Sequence, residues 1–169
     1  MNFNFRLHRK WNDEKYSWYS KASNSWWSYG NYWKAEYGVL STIDNNGYPY
    51  GLPLHYIILD DVIYLHCALE GHIIDTISNN NKVCFTVVGY SELLPSSFTA
   101  NYESVIVFGK GALVEKSEKI HMLKALVRKY SPEYYDKGMK VIDAFKDKCS
   151  VIRIDIEHIT GKKKGSVES

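Results

Sequence analysis

The sequence lacks the features that mark exported, membrane-spanning and disulfide-stabilised proteins. It contains three cysteines among 169 residues, and Cys67, Cys84 and Cys149 have neither a CxxC nor a metal-finger spacing. Neither a disulfide framework nor a metal site is therefore predicted. No apolar run reaches the length of a membrane span, and residues 1–10 lack the apolar core of an export signal. We expect a protein of the reducing cytoplasm that has no membrane partner.

The chain also has little excess of either positive or negative charge. The formal net charge is +2, and the one basic run, Lys162–Lys164, lies near the C-terminus. Both are too weak to indicate a nucleic-acid partner. The sequence has no GxGxxG or GxxxxGKS/T motif and no alternation of strands with helices, which argues against a Rossmann-type nucleotide site. With 45% hydrophobic and 24% charged residues, the composition is that of one globular domain.

The chain does contain a series of strand-like segments that are joined by turn residues. β-branched, aromatic and alternating apolar residues predict six strands, over residues 37–43, 48–59, 62–67, 82–90, 102–115 and 150–159. The first turn contains Asn46 and Gly47, the pair that a tight hairpin favours, and the second contains Asp60 and Asp61. Residues 91–101 are predicted to form a loop.

Helical spacing of apolar residues predicts three helices between these strands. The first covers residues 72–79, the second begins at Ser117 as its N-cap, and the third begins at Ser131 and Pro132. The buried face of the third helix is predicted to contain Tyr135, Met139, Ile142 and Phe145. The resulting fold class is mainly β with flanking helices, a six-stranded antiparallel barrel whose closure removes edge strands.

The segment "YLHCALEGHIID", residues 64–75, has the local pattern of an anion site. A strand that turns through Gly71 into a helix start gathers free backbone N–H groups at one point, where a phosphate can bind. On their own, His66 and Cys67 are ambiguous. A lone histidine on a strand is more often a packing residue of the barrel than a ligand, and Cys67 has the character of a small packing residue.

Four blocks of the chain resemble, in order and spacing, the FMN-binding split-barrel family related to pyridoxamine 5'-phosphate oxidase. They are "GVLSTIDNNGYPYGLPLHY", "IYLHCALEGHIIDTISNNNKVCFTVVG", "NYESVIVFGKG" and "IDIEHITGK". The resemblance covers about residues 37–163, and the 5-nitroimidazole-resistance branch is the most similar. It implies a homodimer of six-stranded split barrels, with FMN at the subunit interface and both chains lining each site.

The resemblance also implies a set of cofactor contacts. Pro53, Leu54 and His55 would run along the flavin ring. The ribityl phosphate would be held by the end of the third strand and the turn after it, which comprise Leu65, His66, Cys67, Ala68, Gly71 and His72. Tyr102 and Ser104 would reach the cofactor from the neighbouring subunit. Relatives commonly carry Lys or Arg at the position of His72, so the helix-start N–H groups, together with Lys162 and Lys163, are expected to compensate for the missing fixed charge. His66 would lie beside the ring as the candidate catalytic group.

The function implied is that of an oxidoreductase that passes electrons from reduced FMN to a small organic acceptor such as a nitroimidazole. The alternative is a stress protein that binds flavin or another small ligand without turnover. The family resemblance stops short of residues 1–36, which contain all five tryptophans. We expect residues 1–36 to form an aromatic helix and loop that pack on the barrel or cover its ligand, and residues 37–169 to form the split barrel.

Overall fold

The structure, a computed structural model, describes residue 32 and residues 34–165. Within this part of the chain it contains six strands and three α-helices. In chain order these are β1 (Tyr37–Ile43), β2 (Pro49–Leu59), β3 (Val62–Ala68), α1 (His72–Asn79), β4 (Lys82–Leu94), β5 (Thr99–Leu113), α2 (Lys116–Tyr130), α3 (Tyr135–Phe145) and β6 (Cys149–Lys164). The prediction for residues 1–36 lies almost entirely outside the described residues.

The strands form one closed antiparallel barrel in the order β1-β2-β3-β6-β5-β4. β1 closes the ring because it pairs with β2 on one edge and with β4 on the other. The predicted fold class, a six-stranded antiparallel barrel with flanking helices, is confirmed. Among the described residues, the helices are all too short or too polar to cross a membrane.

The core is divided between the inside and the outside of the barrel. Because side chains alternate along a strand, one set of apolar residues from every strand points inward, where Leu40, Ile63 and Phe85 are completely buried. A second, smaller cluster lies on the outer face, where Tyr64 and Val151 pack against α2 and α3. Helices α2 and α3 therefore cover one outer side of the barrel, whereas Ile73 and Ile77 of α1 belong to the inner core.

Both predicted turns are confirmed by their backbone conformations. The side-chain Oδ1 of Asp44 accepts hydrogen bonds from the N–H groups of Asn46 and Tyr48, each at 2.8 Å, and Gly47 has a φ of +84°. Asp60 and Asp61 have φ values of +50° and +60°. Two successive residues with positive φ are the signature of a two-residue hairpin loop that matches the twist of its strands.

Three local predictions were wrong. Residues 91–101 are mostly paired strand, because β4 and β5 continue as a hairpin arm as far as Leu94 and from Thr99. The second helix begins at Lys116, so its N-cap position is Glu115, and Ser117 lies inside the first turn. In the third helix Ile142 is buried as expected, whereas the Phe145 side chain is 53% exposed. This exposed ring borders a groove that is described below.

Candidate functional site

The barrel wall is open along part of one seam. β2 and β3 pair only between residues 56–59 and 62–65. Beyond that point, Pro49–His55 pairs with β1 alone and His66–Ala68 pairs with β6 alone. Alternate backbone N–H and C=O groups on the two facing edges therefore lack a strand partner within the described chain. We call these facing edges of Pro49–His55 and His66–Ala68 the seam.

Helix α1 begins beside the seam with two free backbone donors. The N–H groups of Ile74 and Asp75 donate to the Gly71 carbonyl at 2.9 and 3.2 Å. The N–H groups of His72 and Ile73 come before these and have no carbonyl acceptor within the helix. Gly71 has a φ of +136° and a ψ of 170°, a region that only glycine adopts readily. Nothing lies within 4 Å of where its Cβ would be. A phosphate can therefore approach this positive end of the helix closely.

His72 lies at the same end of the seam and is held by an aromatic contact across it. Its ring packs edge-to-face on Tyr50 of β2, with the centroids 4.6 Å apart. This contact keeps the start of α1 next to β2 where β2 has parted from β3. The phosphate-binding position predicted at Gly71 and His72 thus adjoins the unpaired backbone of β2, and the structure brings these two predicted features together.

His55 and His66 lie at the other end of the seam, on its two opposite edges. The Nδ1–H of His55 donates to the Glu36 carbonyl at 2.7 Å, and its ring lies 4.8 Å from the Tyr130 ring. Partial burial lowers the pKa of His66 below its ordinary value, and the neighbouring His55 lowers it further. The His66 imidazole is therefore mainly neutral at pH 7, when it can both donate and accept a hydrogen bond.

The remaining predicted residues of this region differ in what they can present to a ligand. Pro53 and Ala68 are exposed, and Leu54 is half-buried against the core. Leu65 and Cys67 point into the barrel, so only their backbone groups can reach the outer surface. Burial, together with the proximity of Cys149, raises the pKa of the Cys67 thiol to about 11. This thiol is consequently protonated at neutral pH and suits a packing role.

Tyr102, Ser104 and Lys162 form a second group, which lies on β5 and β6. Ser104 faces Lys162 in the strand register, and the Lys162 Nζ lies 4.9 Å from the centroid of the Tyr102 ring. In β6, Lys162 is eleven residues beyond Val151, the partner of His66. At about 3.3 Å per residue this is roughly 35 Å of strand. Within one chain, the structure therefore does not bring Lys162 to the start of α1.

Sequence reasoning missed two residues of α2 that hold the His55 end of the seam. The Lys129 Nζ donates to the carbonyls of Tyr56 at 2.9 Å and Ala35 at 3.2 Å. The Tyr130 hydroxyl accepts from the Tyr56 N–H at 3.0 Å and lies 2.9 Å from the Glu36 carbonyl. These side chains take the place of a strand partner for β2 where its pairing changes from β1 to β3. Nothing in the local sequence distinguishes Lys129 from an ordinary surface lysine of a helix.

A six-stranded antiparallel barrel that is open along part of one wall defines a split β-barrel protein. The chain belongs to the pyridoxamine 5'-phosphate oxidase family, whose model matches residues 34–163. This range includes the whole seam, the start of α1 and the group on β5 and β6. No curated protein matches the chain with significance.

Solved structures from several bacteria are similar to this chain. A candidate 5-nitroimidazole antibiotic resistance protein from Bacteroides thetaiotaomicron is 26% identical, with a TM-score of 0.61, and the match covers 76% of this chain and 77% of that chain. A conserved hypothetical protein from Mycobacterium tuberculosis has a TM-score of 0.71 at 18% identity, covering 88% and 93%. An FAD-binding protein from Mesorhizobium loti has a TM-score of 0.62 at 19% identity, covering 85% and 96%.

Proposed function

We propose that this protein binds FMN in the seam and is a flavin-dependent oxidoreductase that reduces a small organic acceptor such as a nitroimidazole. One observation carries the proposal: an open backbone edge on two strands adjoins a glycine turn with free helix N–H groups. Family membership and the resemblance to a candidate 5-nitroimidazole resistance protein support the choice of ligand and acceptor.

The donors at the seam fit the two polar parts of FMN. The N–H groups of His72 and Ile73 suit the phosphate, because they lie at the positive end of α1 and are not used within the helix. The unpaired backbone of β2 around Pro53, Leu54 and His55 suits the ring, whose polar edge carries both donors and acceptors. When bound, the flavin would supply the transfer of electrons, while the protein supplies position and electrostatics.

A second copy of the chain would complete the site. Tyr102, Ser104 and Lys162 lie too far along β5 and β6 to join the seam of their own chain. A homodimer would place the Lys162 of the partner subunit near the phosphate, where His72 supplies only an imidazole. This arrangement agrees with the expectation that both chains line each FMN. It also explains why the cation and the helix start are separated in a single chain.

His66 would hold or deliver a proton to the acceptor. It is exposed on the outer face of β3, on the edge of the seam opposite His55. At neutral pH its imidazole is mainly neutral and carries a proton on one ring nitrogen only. As the pH falls toward the lowered pKa, more of the imidazole becomes imidazolium, which is the form that can donate a proton. We therefore assign His66 the catalytic position and the buried Cys67 none.

The binding proposal is tested with a pair of glycine substitutions. Gly71→Ala and Gly47→Ala both place a side chain at positive φ, +136° and +84°, and both meet open space. They therefore impose backbone strain of a similar kind, of the order of 1–3 kcal/mol. After reconstitution, flavin fluorescence should show that Gly71→Ala weakens FMN binding at least tenfold and that Gly47→Ala changes it less than threefold.

A purified protein that neither contains FMN nor takes it up contradicts the proposal. Tight FMN binding without reduction of any nitroaromatic would instead support the non-catalytic alternative.

A further inference from the structure

A groove between α2 and α3 lies on the outer face of the barrel, and His66 is among the residues that line it. Its volume is about 400 Å³, which is within the range of small-molecule sites. The two helices and the start of β6 form its walls. The apolar residues that line it are Leu123, Leu126, Val127, Val141, Ile142 and Phe145.

These walls remain open to solvent although they are apolar. Val141 and Phe145 on α3 are 50% and 53% exposed. α3 thus places large hydrophobic side chains toward a cleft instead of against the barrel. A concave apolar surface with a few polar groups at one end is the usual form of a small-molecule site.

The two charged side chains that line the groove are both lysines, and Asp147, which lies between them in the chain, is not part of the lining. Lys146 and Lys148 follow Phe145 in a short 3₁₀ turn and line the groove beside His66. Lys146 pairs with the exposed Asp143 at 3.6 Å. The Lys148 Nζ lies 5.0 Å from the centroid of the Phe145 ring, and among the described residues it has no carboxylate within ion-pair distance.

A third lysine lies behind the lining of the groove and contacts one of its residues. Lys119 is buried, and its Nζ donates to the carbonyl of Cys149 at 3.0 Å. Cys149 itself lines the groove. No carboxylate of the described chain forms an ion pair with the Lys119 ammonium, so its charge adds to that of the two rim lysines. Buried charge without a counter-ion favours an anion nearby.

We propose that the α2–α3 groove binds a small apolar molecule that carries a carboxylate. The apolar body lies between Leu126 and Val141, and the carboxylate lies at the end that Lys146, Lys148 and His66 share. The inference stands apart from the proposed function, because binding in the groove does not require flavin.

The test compares 4-nitrobenzoate with 4-nitrobenzamide, which differ mainly in charge. Isothermal titration calorimetry with the full, flavin-free chain should show that the acid binds at least tenfold more tightly than the amide. Lys148→Gln should remove most of this preference by weakening the acid and leaving the amide unchanged. Lys140→Gln makes the same charge change at an exposed position of α3 that does not line the groove, and it should alter the affinity for the acid less than twofold.

A second variant tests the apolar walls without burying a charge. Val141→Glu places a carboxylate at a half-exposed position of the groove and should abolish binding of the acid while circular dichroism stays that of the wild type. Equal affinities for the two compounds, or equal effects of Lys148→Gln and Lys140→Gln, overturn the proposal. A change of oligomeric state in Val141→Glu also overturns it, because a second copy would then be the occupant.

Failure of this proposal and failure of the proposed function give different results. A protein that binds 4-nitrobenzoate in the groove but never takes up FMN retains the groove site and loses the flavin function. A protein that binds FMN and reduces nitroaromatic compounds, but binds 4-nitrobenzamide as tightly as 4-nitrobenzoate in the calorimeter, retains the flavin function and loses the groove site.

Discussion

Lys129 is expected to make the stability of the fold depend on pH. Its ammonium lies 3.9 Å from the centroid of the Tyr56 ring and donates to the carbonyls of Tyr56 and Ala35. Burial lowers its pKa from the ordinary value of 10.5 to about 8. We predict that the free energy of unfolding of the wild type rises relative to that of Lys129→Met between pH 7 and pH 9.5.

The sign and the size of this effect follow from proton linkage. Between pH 8 and pH 10.5 the folded protein binds fewer protons at Lys129 than the unfolded chain does. Stability therefore increases with pH in that window, and the gain is lost as the pH falls through 8. With one pKa unit worth about 1.4 kcal/mol, the gain between pH 7 and pH 9.5 is about 2 kcal/mol.

Urea denaturation of flavin-free protein, followed by far-ultraviolet circular dichroism at one protein concentration, measures the effect. Lys124→Met, at an exposed position of the same helix, is the control and should show the pH dependence of the wild type. The range stops at pH 9.5 because tyrosines begin to titrate above it. Burial of the Cys67 thiol lowers stability over the same pH range in both proteins, so the test is the difference between wild type and Lys129→Met. If this difference does not grow between pH 7 and pH 9.5, then the Lys129 ammonium is not desolvated as described.

Two further substitutions test the catalytic and structural assignments. In flavin-loaded protein, nitroaromatic reduction should accelerate as the pH falls through a value below 6.5, because protonation of His66 supplies the acid. His66→Gln should be slower and pH-independent between pH 5 and pH 8; an unchanged profile would assign the titration to another group. Gly109→Ala should destabilise the fold by about 1–3 kcal/mol, because a Cβ there would lie 2.3 Å from the Asp155 carbonyl oxygen. Gly161→Ala, whose Cβ would lie 3.6 Å from the Ser104 carbonyl oxygen, should cost less than about 0.5 kcal/mol in the same urea assay.

The barrel was predictable because its strands and turns carry their signals locally. Ile152 and Ile154 alternate with charged residues and are completely buried inside the barrel, as a period of two requires. The turn at Gly47 and the helix start at Gly71 each need a positive φ, and glycine is the residue that adopts it at the least cost. In these places the local preference and the tertiary structure agree.

The hairpin arm could not be predicted, because its strands depend on their neighbours. Residues 91–101 contain Pro95 and three serines, which favour a loop when they are considered alone. In the structure, Ser91–Leu94 pairs with Thr99–Tyr102, and Tyr102 also pairs with Lys164 of β6. The β4 and β5 partners are close in sequence, but the β6 partner of this arm is distant, so the full extension becomes visible only in the assembled barrel.

The local structure around the candidate site was predictable, but its arrangement was not. The pattern around His66, Gly71 and His72 identified the right strand end and helix start. It could not reveal that Leu65 and Cys67 offer only backbone to the surface, because that depends on which face of β3 is inside. Nor could it reveal Lys129, whose contacts are made with Ala35 and Tyr56, more than seventy residues earlier in the chain.

The separation of Lys162 from His72 bears directly on how the proposed flavin site would be assembled. Within the described part of one chain, the start of α1 offers a phosphate two N–H groups and an imidazole, while Lys162, the expected cation, lies far along β6. In the proposed dimer, the partner's Lys162 would add that cation and the partner's Tyr102 would add an aromatic wall. FMN would then bind the dimer more tightly than the monomer, and by linkage FMN would stabilise the dimer to the same extent. Substitution of Lys162 would consequently weaken flavin binding and subunit association together, although the residue lies roughly 35 Å of strand from the helix start in its own chain.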